Sequence, residues 1–194
     1  MHKPRLTMHK TIAASLLAGL LLSLAGCGSS TATKAFMREG ASLAHIQTVV
    51  VLPYEDIGGG GEKRIRELTM TQLLSSGMFD VVDKGRVDSL LRDEAIEPGA
   101  PFDEATLRRL GQRLNAQGFI LGSVEQTSES RGSSVYPEIV LTLRLIDSET
   151  GTLLWQASGR GSGYTLSDRL FGFAPKNSFQ VTLELLTRLL KTLR

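Results

Sequence analysis

The sequence predicts an α/β domain with one mixed β-sheet of about five strands covered by helices, in the order β-α-β-α-α-β-β-β-α. Three observations carry this expectation. The β-branched apolar run TVVVLP at 48–53 is followed by a helix-period segment and a second short apolar run, the order of a parallel βαβ unit. Three strand-like runs then succeed one another between residues 119 and 158 with no helix between them. Last, the chain closes on a Leu-rich segment of strong helical period.

Each element has its own reason. Residues 48–53 are apolar at consecutive positions, as in a strand buried on both faces, and Pro53 ends the run. Glycines 58–61 break the chain, and in 62–75 Ile65, Leu68, Leu73 and Leu74 stand at roughly helical spacing. Glu62 lies in the first turn of that helix and Gly77 just past its end. Residues 79–83 predict a short strand, and Val87, Leu90 and Leu91 a short helix up to Ala95, closed by PGAP at 98–101. Asp103 is a candidate N-cap, and Phe102 with Leu107 has the spacing of a hydrophobic staple. Leu107, Leu110 and Leu114 form the stripe of that helix, with Gly118 as its expected terminator. Strands are expected at 119–127, 138–147 and 152–158. In the second, Ile139, Leu141, Leu143 and Leu145 alternate with Glu138, Thr142 and Arg144, which buries one face. DSETG at 147–151 is a hairpin turn. Phe179, Leu183, Leu186 and Leu190, with Leu185, Leu189 and Leu193 beside them, predict a terminal helix packed on the sheet.

The first 26 residues read as a lipoprotein signal peptide. A basic start, residues 1–10, precedes an uncharged run at 11–26 that is too short for a comfortable membrane span, and Met8 is a second candidate start. The run ends in Leu24-Ala25-Gly26-Cys27, which resembles the lipobox: cleavage between Gly26 and Cys27 leaves a lipidated Cys27 as the mature N-terminus. Gly rather than Asp at position 28 points to the outer membrane, with the domain in the periplasm. Residues 27–47 read as the lipidated cysteine and a flexible tether, and 48–194 as the domain.

Composition limits the chemistry. Removing Lys3, Arg5 and Lys10 with the signal takes the 22 basic residues to 19, against 20 acidic ones, so no surplus of cation suits nucleic acid. His2 and His9 leave with the same segment, so His45 is the one mature histidine and Cys27 the one cysteine. A Ser-His-Asp triad or a His/Cys metal cage needs more than this. The expectation is a non-enzymatic protein with no cofactor and no metal.

Five segments keep their order over roughly residues 46–158: VVVLPYE at 49–55, MFDVVDKGR at 78–86, LLRDE at 90–94, LNAQGFILGSV at 114–124 and IDSETGTLLW at 146–155. Behind a lipobox, they resemble the CsgG-type superfamily of bacterial envelope lipoproteins. That group includes the curli secretion channel, the LpoB-type activators of peptidoglycan synthases and the FlgO-type flagellar proteins. The resemblance implies an α/β domain of the kind derived above and a role in envelope assembly, and it supplies no catalytic residue to carry over. The channel branch builds its pore from two membrane-crossing hairpins per subunit. Here 128–137 is too short and polar for two strands, and 159–177 carries Arg160, Asp168, Arg169, Pro175 and Lys176, so no pore of its own is expected. The activator branch reaches its synthase through a long tether, and about 20 residues is short for that. The main expectation is therefore an outer-membrane-anchored adaptor or assembly factor for secretion, surface appendages or the cell wall, with an unidentified envelope protein as partner. Activation of a peptidoglycan synthase is the alternative, and a subunit of a curli-type secretion complex the second. Homo-oligomerisation stays open.

The remaining motifs have plain readings. GGGGEK at 58–63 lacks the Gly-Lys-Ser/Thr core of a phosphate loop, and Glu62 sits where phosphate would. Gly159, Gly161 and Gly163 have no helix signal behind them. Glu55 and Asp56 are a pair of carboxylates that would serve a periplasmic hydrolase, and solvated acids after a strand are the commoner case. His45 is expected in solvent and Trp155 in the core. Tyr164, Leu166, Leu170, Phe171 and Phe173 crowd a segment punctuated by Gly172 and Pro175, which makes 159–177 the candidate partner surface.

Overall fold

A computed structural model describes residues 32–58, 60–97, 100–131, 134–164 and 174–193. The chain forms β1 (Thr33–Met37), β2 (Thr48–Val51), β3 (Glu55–Gly58), α1 (Glu62–Ser76), β4 (Asp80–Val81), α2 (Lys84–Asp93), α3 (Glu104–Leu114), β5 (Gly118–Arg131), β6 (Ser134–Asp147), β7 (Leu153–Ser162) and α4 (Ser178–Lys191). The seven strands make one mixed sheet in the order β1-β7-β6-β5-β2-β4, and β3 pairs with β5 beyond the end of β2. β2 runs parallel to both β4 and β5, the expected βαβ relation, while β5, β6, β7 and β1 follow antiparallel.

Alternation along the strands sorts the core into two faces. Val49, Val51, Ile120, Val124 and the odd-numbered residues Ile139–Leu145 meet Ile65 and Leu73 of α1 and the Leu-rich face of α4. Val50, Leu52 and Phe119 point the other way, onto Val87, Leu90 and Leu91 of α2 and Leu107, Leu110 and Leu114 of α3. The helix ends follow local chemistry. Gly77 takes φ +64° after α1, a left-handed conformation that favours glycine. Asp83 and Asp103 accept the backbone N–H of Arg86 and Thr106 at the starts of α2 and α3. Asn177 and Gln180 form a reciprocal capping box at α4.

The structure departs from the sequence reading in five places. The sheet has seven strands rather than about five, because β1 and β3 are edge strands held by backbone pairing and every residue in them is exposed. The supposed tether therefore joins the fold from Thr33: β1 pairs with β7, Arg38 N–H donates to Leu154 O at 2.9 Å, and Ile46 is buried. The β5–β6 hairpin continues through the expected 128–137 loop to an Arg131–Ser134 pair. The buried stripe of α1 contains Arg66 and Thr69, while Leu74 is 56% exposed. Asn115, at φ +52°, and not Gly118, closes α3, and Gly118 starts β5.

Gly122 is required by a close approach. A Cβ on Gly122 would lie 2.8–3.0 Å from the Tyr54 ring, which is itself buried. Gly122→Ala is expected to cost about 1–3 kcal/mol through overpacking. A lowered midpoint with an unchanged m-value in urea denaturation is the expected signature.

Candidate interaction surfaces

The Glu55–Asp56 pair does not form a catalytic dyad. The two residues are neighbours on a strand, so their side chains leave on opposite faces, and both are exposed. Asp56 is occupied: its carboxylate accepts the N–H of Gly58 at 2.9 Å and of Gly60 at 3.0 Å. Those are the backbone donors an anion would need, and Gln126 lies directly over Gly61, where a Cβ would meet its Oε1 at 2.3 Å. The glycine run is thus a folded turn, not a phosphate cradle. Among the described residues no cluster of His, Cys, Asp and Glu has the makings of a metal site.

His45 is not a solvated tether residue. Its Nε2 stands 2.7 Å from Asp147 Oδ2, with the His45 side chain half exposed and Asp147 nearly covered. The other oxygen, Asp147 Oδ1, accepts the N–H of Glu149 and of Thr150 and the Thr150 hydroxyl, which shapes the β6–β7 turn. Burial raises the Asp147 pKa, but the bonds from His45, Thr150 and Glu149 outweigh it and hold the carboxyl below its ordinary 3.8. A depressed carboxylate stabilises the fold above the unfolded value and loses that contribution as pH falls through the folded one. The Asp147→Asn variant is therefore expected to melt below the parent at pH 7, and the gap to close as both are titrated from about pH 4 downward. Melting curves at pH 7, 5 and 3 check this.

A second polar cluster lies under the carboxyl end of β2. Arg66, on α1, is 5% exposed; its Nε donates to Val51 O at 2.9 Å and its guanidinium pairs with Asp88 of α2 at 2.6 Å. Beside it, burial pushes the Tyr54 hydroxyl well above its ordinary pKa, against the smaller opposing effects of Thr69 and Arg66. Just past the end of α2, Glu94 bridges to α3 through Arg109 at 2.9 Å and Arg113 at 2.7 Å, and chiefly the Arg113 bond holds its carboxyl below the ordinary range. These groups tie helices together.

Two surfaces are left for contacts. Among the described residues no helix covers the face of β6, β7 and β1 opposite α4. Phe36 is 48% exposed there beside Gln156, Val140 stands apart on β6 beside Arg160, and polar Thr142, Arg144 and Ser158 fill the rest. At the hairpin end of the sheet an open groove of about 490 Å³ runs between Tyr136, Pro137, Pro175 and Lys176. Tyr164, the one described member of the expected aromatic contact set, stacks on Tyr136 with ring centroids 4.4 Å apart. Leu166, Leu170, Phe171 and Phe173 lie outside the described residues, as do Gly26 and Cys27. Trp155 is fully buried, as expected. Among the described residues no helix is long and apolar enough to cross a membrane.

A family model described as the peptidoglycan-synthase activator LpoB matches residues 63–160, from the first turn of α1 through most of β7. The chain belongs to the LpoB family. Several solved structures share its fold. PelC from Paraburkholderia phytofirmans, described as a dodecamer, superposes with a TM-score of 0.55 at 18% identity, covering 84% of this chain and 98% of that one. Lipoprotein GNA1162 from Neisseria meningitidis gives 0.54 at 16% identity, covering 76% and 97%. A search of curated proteins returns no significant match. LpoB membership supports the synthase-activator alternative over the general adaptor expected first, and it agrees with a non-enzymatic kind of protein.

Proposed function

We propose that the chain is a lipoprotein of the outer membrane, facing the periplasm, that activates a peptidoglycan synthase by direct, non-catalytic contact. The observation that carries this is the match to the LpoB activator model over residues 63–160, which takes in the first three helices and β4 to most of β7. The sequence supports the anchor through its Leu24-Ala25-Gly26-Cys27 lipobox. With β1 docked on β7, residues 28–32 alone separate Cys27 from the fold, a reach of about 21 Å. The synthase must then present its contact close to the outer membrane. We place that contact on the 159–177 segment, beside the Tyr136–Tyr164 stack.

The test uses the acylated full chain in detergent with a purified bifunctional synthase. Co-elution and a several-fold faster glycan polymerisation are expected; neither binding nor stimulation would reject the activator role. Cys27→Ser is expected to leave the protein out of the outer-membrane fraction, read by sucrose-gradient fractionation. Retention of that variant in the membrane would reject the anchor.

A further inference from the structure

β1 forms one margin of the sheet. Residues Thr33–Met37 pair with β7 on one side and, among the described residues, with no strand on the other. Two bonds fix which way its backbone groups point: Arg38 N–H donates to Leu154 O at 2.9 Å and Arg160 N–H donates to Ala32 O at 3.1 Å, so the even-numbered residues face β7. By the alternation of an antiparallel ladder, Thr33, Ala35 and Met37 then turn their N–H and C=O groups outward. The other margins are poorer templates, because β4 has two residues and β3 shifts register between Asp56 and Gly58. Natural edges are guarded against pairing by charge, and Lys34 is the one charged residue in β1. That guard is silent against one particular strand, a second β1. Laid antiparallel with all five residues overlapping, the second strand sets Thr33 opposite Met37, Ala35 opposite Ala35 and Lys34 opposite Phe36. Outward groups meet outward groups in this register. A shift by two residues either way sets Lys34 against Lys34 or against Arg38, and like charges directly opposite are destabilising. A shift by one opposes outward groups with residues whose groups already face β7.

We infer that two copies of the chain join edge to edge through β1, antiparallel about Ala35, and so continue one sheet into the other. This goes beyond the activator reading and depends on neither the synthase nor the lipid. Lys34 and Phe36 stand on the open face, since Met37 lies on the side of its neighbour, the buried Trp155. Their cross pairs are of the closer, non-hydrogen-bonded kind, so each Lys34 ammonium reaches over the Phe36 ring of the other copy. Ala35, at the two-fold axis, puts no bulk between the strands. A ladder this short makes a weak, reversible pair.

The test sediments the mature full chain, in excess detergent, from about 1 to 300 µM, a range that spans weak dissociation constants. A monomer–dimer equilibrium is expected. Ala35→Pro deletes an outward N–H that the β1–β7 ladder does not use, and proline is tolerated at such a position, so this variant is expected to stay monomeric with unchanged circular dichroism. Phe36→Lys, which sets Lys against Lys34, is expected to be monomeric too, and mixing it with the Lys34→Glu chain to restore the dimer. For the register, a Lys34→Cys chain is mixed with a Phe36→Cys chain under mild oxidation. Residues in such a cross pair lie within disulfide reach, so 34–36 bridges are expected about threefold or more over 34–34 and 36–36. Peptide masses separate these from any bridge through Cys27, the one native cysteine. A parent that is monomeric across the whole range, a dimer that survives both Ala35→Pro and Phe36→Lys, or like bridges as frequent as 34–36 would overturn the inference.

Discussion

Trp155→Ala is expected to destabilise the domain by about 3–5 kcal/mol, the largest single-residue effect on this fold. Trp155 has no exposed surface, sits on β7 opposite Leu145, and packs into the cluster closed by α4. Its indole N–H donates to Thr192 Oγ1 at 2.9 Å, so truncation opens a cavity and also removes one of that hydroxyl's two hydrogen bonds, the one it donates to Leu189 O remaining. Against a whole-domain stability of roughly 5–15 kcal/mol, that loss is a substantial fraction. Thermal melting should show a fall on the order of 10 °C. Trp155→Phe keeps most of the ring and is expected to lose far less. A variant that melts within a degree or two of the parent would show that α4 repacks over the gap.

The second large effect is Asp88→Ala, expected to cost about 3 kcal/mol, whereas Arg66→Met costs about 1 kcal/mol. The asymmetry follows from burial: the Arg66 side chain is 6% exposed and Asp88 28%. Without Asp88 the guanidinium remains inside with Val51 O as its main acceptor, and its second terminal nitrogen already has no partner among the described residues. Without Arg66 the carboxylate turns to water and an apolar chain of similar length fills the groove under β2. Urea midpoints of the two single variants and the double variant measure the coupling. Equal costs for the two single changes would contradict this account.

Much of the fold was legible because it is written in apolar periodicity. The double-sided run of β2, the Ile139–Leu145 alternation and the Leu stripe of α4 each state a burial pattern that one geometry satisfies. The caps at Asp103 and Gly77 were legible for a similar reason, since each depends on a single side chain or its absence. β1 and β3 were not: TKAFM and EDIG bury nothing, and their stability comes from backbone bonds to β7 and β5, for which a sequence carries no side-chain signature. Arg66 was hidden in another way. A charged residue on a helix reads as solvated, and only its distant partners Val51 and Asp88 make the interior tenable. His45 looked solitary because its acceptor, Asp147, lies 102 residues away. For the interaction surface, the sequence marked Tyr164 by local crowding, while Tyr136, its stacking partner, stood out in no local pattern.

The placement of β1 also sets how the protein answers to pulling. A load between a membrane-held Cys27 and a partner gripping the domain enters at Thr33. Thr33 pairs with Gly159, so with the partner on the proposed 159–177 contact both ends of the load act at the same end of the antiparallel β1–β7 ladder, which opens pair by pair from Thr33. If that ladder yields, Ala41, Leu43 and Ile46 still hold the chain to the core, and slack is paid out only as far as residue 40. The span between lipid and domain then grows from about 21 Å to about 49 Å while the sheet behind it stays intact. β1 is in effect a latch on a coiled length of leash, and its release force decides whether the domain rests on its own membrane or works at a distance from it.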